Sequence, residues 1–103
     1  MAKTNPSKHN RGLLSVGIGH LEKIAQRVTL DEAEAYVESI EADMQALADA
    51  LTDRTAERDS VTLSALFNVY KLMQAVSALE DDRQFAVHKA SVNHKLQELK
   101  AES

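Results

Sequence analysis

The sequence predicts an all-α protein: a small antiparallel bundle of three to four helices, preceded by a basic N-terminal arm. Three observations carry this expectation. The three glycines (Gly12, Gly17, Gly19) and the one proline (Pro6) all lie within the first 19 residues of 103, and the 84 that follow contain neither. A β-rich chain would need turn residues able to take positive φ at intervals of about 8–12 residues. The same glycine-free stretch is dense in Ala, Leu, Glu, Gln, Met and Lys, which lose least on entering a helix. Finally, apolar residues recur at intervals of three and four, the repeat of a helix face.

Residues 1–11 are expected to form a flexible, disordered arm ahead of a single helical domain over 12–103: Lys3, Lys8, His9 and Arg11 occur there without an acid and with almost nothing apolar. The first helix is expected over 13–28, most securely from residue 20, on the stripe Leu14, Ile18, Leu21, Ala25 and Val28. Gly17 and Gly19 interrupt that stripe, each at a cost of about 1 kcal/mol relative to Ala. They either loosen the first turns or admit a close neighbour.

Thr29 and Glu32 form a capping box, with Val28 placed to staple onto Ala33, so a second helix starts at Leu30 and runs to 53. Its apolar positions are Leu30, Ala33, Val37, Ile40, Met44, Leu47 and Leu51, an unbroken heptad seam that Arg54 ends. Residues 52–60 are hydrophilic apart from Ala56, with Asp59 or Ser60 as the next cap. The third helix, 61–80, is apolar around most of its circumference, and such a helix must be covered on several sides. Self-association as a homodimer, or a protein partner, is the economical way to cover it. Asp81 and Gln84 give a weaker cap pair before a last helix over 83–101, on the stripe Phe85, His88, Val92, Leu96 and Leu99. Without Gly or Pro, 61–101 could also run as one helix.

Templates for chemistry are missing. Gly17-Ile18-Gly19 is followed by Glu22 where a dinucleotide fingerprint needs its third glycine, and no phosphate loop or EF-hand loop is present. No His has a Glu three residues before it, as a di-iron bundle needs. With no Cys there is no disulfide framework, zinc ribbon or thiol nucleophile, which suits a cytoplasmic protein. No apolar run reaches the roughly 18–20 residues of a membrane span, and the N-terminus has no secretory signal pattern. His88 reads as a core or interface histidine with one polar neighbour before a metal ligand or pH switch. His94 and Glu98 read as a surface i,i+4 pair. No enzyme, cofactor, metal or small-molecule substrate is expected.

Charge is strongly segregated. Residues 1–28 carry +4, residues 29–60 carry −8 and residues 61–103 are neutral, against −4 for the whole chain. The expected function is a non-enzymatic protein-binding module, a regulator, inhibitor or adaptor. Leu66, Phe67, Tyr70 and Met73 are its candidate anchors, and Glu34, Glu38 and Glu41 its steering charges. The alternative is a nucleic-acid-associated dimer that uses Lys3, Lys8 and Arg11 on its arms.

Overall fold

A computed structural model describes the backbone of residues 6–52 and 60–102 and the side chains of 11–52 and 61–101. Among the described residues five α-helices follow one another: α1 (Pro6–Ala25), α2 (Leu30–Ser39), α3 (Glu41–Thr52), α4 (Ser60–Ala75) and α5 (Asp82–Glu102). A 3-10 turn, Val76–Ala78, extends α4. No strand occurs among the described residues, and none of their helices is long and apolar enough to cross a membrane.

Helix α1 opens on Pro6, a residue suited to the first helical position because the amide it lacks would have no partner there. It therefore takes in Pro6–Arg11, which the composition assigned to the arm; residues 1–5 lie outside the described residues. The helix closes at Ala25 on tightened i→i−3 bonds, Gln26 N to Lys23 O and Arg27 N to Ile24 O.

The helix expected over 30–53 is two. The described residues therefore hold five helices rather than three or four. The physical reason lies at Ser39, whose hydroxyl donates to the Tyr36 carbonyl at 2.6 Å. In an unbroken helix that carbonyl would take the Ile40 amide. Ile40 instead adopts φ −110°, ψ 23°, and its N–H turns to Val37 O at 3.2 Å. Met44 N then bonds Ile40 O, and the helix resumes. The seam survives the break: Leu30, Ala33, Val37, Ile40 and Leu47 are buried, with Met44 and Leu51 packed at the edge of the core. Residue 53 and Arg54 lie outside the described residues.

Thr29 caps α2 as expected, its hydroxyl accepting the Glu32 amide at 3.2 Å. Val28 is 74 % exposed, so the expected staple onto Ala33 does not form. At the other break Asp81 Oδ1 accepts the Gln84 amide at 2.8 Å and Gln84 Oε1 accepts the Glu80 amide at 2.7 Å. Residues 61–101 are thus two helices, separated where Leu79 turns to extended backbone.

Helix α1 runs antiparallel to α3, since Gly17 lies against Leu47 and His20 against Asp43. Helix α5 runs antiparallel to α4, with His88 beside Leu72 and Leu99 near Val61. The core is filled by Leu21 and Ile24 of α1, Leu66, Val69 and Met73 of α4, and Phe85, Val92 and Leu96 of α5. Gly17 is where α1 and α4 meet: a Cβ built there would fall 2.6 Å from Val69 Cγ1. Gly19 has nothing within 4 Å of the same position. Of the two roles open to these glycines, Gly17 takes the close approach.

Candidate functional site

The anchors proposed on α4 separate by burial. A helix advances about 100° per residue, so Leu66, Val69, Met73 and Val76 share one line, and all four are fully buried. Leu66 and Met73 are thereby core residues of the monomer. Phe67 is 50 % exposed, with the Lys71 ammonium 5.4 Å from its ring centroid. Tyr70 is half-buried at the edge of the core. Cover for the buried line of α4 comes from within the chain, through α1 and α3. Val61 and Phe67 are the large hydrophobics α4 leaves exposed.

Asn68, Lys71 and Leu72 line the α5 side of α4. Leu63 and Tyr70 pack against the core, and α4 also meets α3.

Residues 30–52, which form α2 and α3, contain seven carboxylates and no Lys, Arg or His. Glu38 and Glu41 are exposed and Glu34 half-buried, and none of the three has an ion-pair partner among the described residues. Three of the seven are engaged locally or across helices: Glu32 by Thr29, Asp49 by Gln45 at 2.9 Å and Asp43 by His20. Asp31 and Glu32 also sit at the positive end of α2, and Glu41 and Asp43 at that of α3. The α2–α3 segment thus carries charge of one sign, and six of its seven acids are exposed.

One polar constellation escaped the sequence reading. His20 on α1 meets the Tyr36 hydroxyl with Nδ1 at 2.6 Å and Asp43 Oδ2 with Nε2 at 2.8 Å. The neutral ring satisfies both contacts as the Nε2–H tautomer, donating to Asp43 and accepting from Tyr36. The Arg27 guanidinium lies 5.0 Å from the Tyr36 ring centroid. Burial raises the Tyr36 pKa from its ordinary 10.0, opposed by Arg27 and assisted by Asp43. The phenol therefore stays a protonated hydrogen-bond donor, unlike an activated nucleophile. The cluster works as a clasp joining α1, α2 and α3 around the Ser39–Ile40 break. Separations of 16 and 23 residues gave no local signal for it.

His88 and His94 have plain surroundings, and the side chain of His9 lies outside the described residues. His88 Nε2 lies 2.8 Å from Leu72 O, the single polar neighbour expected of it. Glu98 pairs with Lys95 at 3.1 Å, three residues back, rather than chiefly with His94. That hydrogen bond and the Lys95 charge hold its carboxyl below the usual range, and His94 adds a smaller effect. No group of three metal-ligating side chains occurs among the described residues. Of the basic alternative set, Arg11 is on α1, whereas the side chains of Lys3 and Lys8 lie outside the described residues.

No protein-family model, curated protein or solved structure matches this chain.

Proposed function

We propose that this protein is a non-enzymatic protein-binding module that acts as a regulator, inhibitor or adaptor. Its acidic α2–α3 face docks on a basic protein surface, and Phe67 with Tyr70 supplies the apolar contact. One observation carries the reading: residues 30–52 hold seven carboxylates, six of them exposed, without a basic residue, in a protein whose α4 leaves Phe67 half exposed. Glu34, Glu38 and Glu41 steer the encounter, and the partner's cations complete ion pairs that the described residues do not supply. Leu66 and Met73 hold the helix that presents Phe67.

Affinity capture at low salt tests this. The wild type is compared with Phe67→Glu and with the triple variant Glu34→Lys/Glu38→Lys/Glu41→Lys. A partner held by the wild type and lost by both variants, each keeping the wild-type circular dichroism melt, is the expected result. A partner retained by both overturns the assignment of the surface.

A further inference from the structure

One carboxylate of the α2–α3 segment is tied into the fold differently from the rest. Among the described residues, Asp43 is the one acid of that segment hydrogen-bonded to a titratable side chain. Its Oδ2 accepts from His20 Nε2 at 2.8 Å, with the His20 side chain 15 % exposed and the Asp43 side chain 52 %. The carboxylate therefore faces two ways. His20 reaches it from within the bundle, and a docked partner can reach it from solvent.

Asp43 is also the one anion that meets His20 among the described residues. From α2 the ring meets the Tyr36 hydroxyl at 2.6 Å, a phenol that burial keeps protonated. The turn after α1 adds the Arg27 guanidinium over the Tyr36 ring, and α1 itself adds the exposed Lys23 one turn on. Lys71, the one charged residue of α4, stands over the Phe67 ring instead. On α5, Lys89 is held at the Arg27 carbonyl and Lys100 at Glu22. Histidine is the side chain that changes charge between about pH 5 and 8, and a second ring proton makes both nitrogens donors. Toward Asp43 the hydrogen bond then becomes an ion pair. Toward Tyr36 the half-buried hydroxyl has to turn and accept.

We infer, on the footing of the docking proposed above, that His20 regulates the α2–α3 segment: protonation of its ring withdraws Asp43 from the charge offered to a basic partner, so acidification weakens docking. The neutral ring orients Asp43 and leaves its charge whole, whereas the protonated ring cancels it. One ion pair at a partly exposed site changes affinity about two- to fivefold. The coupling is reciprocal, so a cation docked at Asp43 holds the ring neutral to lower pH.

Decalysine, whose side chains stay charged throughout, is titrated into the full-length protein at low salt at about pH 7.5 and about pH 5.5. Calorimetry gives the affinity, and NMR follows the His20 ring. Between the two pH values the wild type should weaken about two- to fivefold more than His20→Gln, a neutral side chain able to keep one N–H on Asp43. At the higher pH Asp43→Asn should bind about as weakly as the wild type does at the lower, and lose the same share of the pH response. Saturating decalysine should move the His20 ring titration of the wild type to lower pH, an outcome that needs no variant. Acid sensitivity undiminished in His20→Gln and Asp43→Asn, or a ring titration that the peptide leaves unmoved, overturns the regulation and leaves the docking standing. No decalysine binding by the wild type at either pH removes the charge-led docking and the regulation with it.

Discussion

Two identical substitutions two residues apart should move stability in opposite directions. In a helix interior Gly→Ala ordinarily stabilises by about 1 kcal/mol, because the unfolded chain has less freedom to lose. At Gly19 the new methyl enters open space, so the full gain of about 1 kcal/mol is expected. At Gly17 it would lie 2.6 Å from Val69 Cγ1 and 3.8 Å from a Leu47 methyl. Val69 is fully buried and β-branched, so its χ1 has little room to yield. Forcing a methyl into such a site costs about 1–3 kcal/mol. The net effect at Gly17 is thus between nothing and a loss of about 2 kcal/mol, and the two variants differ by about 1–3 kcal/mol. Urea unfolding followed by circular dichroism measures both, and the midpoint separates them if the slope is unchanged. Adding Val69→Ala to Gly17→Ala should recover part of the overpacking loss, a coupling that a double-mutant cycle reads directly. Equal stabilisation by the two alanines would refute the close approach of α1 to α4.

Further outcomes follow from the caps, the clasp and the α4 faces. Asp82→Ala should cost about 1 kcal/mol by thermal melt, since Asp82 Oδ1 accepts the Leu30 amide at 2.8 Å and so caps α2 from the start of α5. Tyr36→Phe should cost about 0.5–1.5 kcal/mol for its bond to His20. Because the Tyr36 pKa is raised in the fold, its contribution is whole below pH 10.0 and is lost as pH rises through the folded value, so the Phe variant should show a shallower alkaline decline. Leu66→Ala should lose about 2–5 kcal/mol as a core truncation, while Phe67→Ser stays within about 0.5 kcal/mol. Fluorescence anisotropy with a labelled DNA duplex at low salt should show no binding; binding abolished by replacing Lys3, Lys8 and Arg11 with Ala would move the function to nucleic acid.

What was legible in the sequence depended on distance along the chain. Thr29 with Glu32, and Asp81 with Gln84, lie three residues apart, so their caps could be read directly. The break at Ser39–Ile40 could not be, because the heptad spacing continues through it and a serine within a helical pattern gives no warning that it will take the Tyr36 carbonyl. Leu66 and Phe67 are neighbours on a helix apolar nearly all round, and only the positions of α1 and α3 decide which one is covered. The Asp82 cap and the His20–Tyr36–Asp43 clasp join residues 52, 16 and 23 apart and exist only in the folded chain. The acidic face was visible beforehand because it is a property of one continuous segment.

If the acidic α2–α3 segment selects a protein partner, affinity must depend on its charge. Once captured, the partner is titrated at low and at physiological ionic strength against the wild type and against the Glu34→Lys/Glu38→Lys/Glu41→Lys variant. Wild-type affinity should fall with salt, and the folded variant should bind at neither ionic strength. Equal affinity of the folded variant, unaffected by salt, would contradict it.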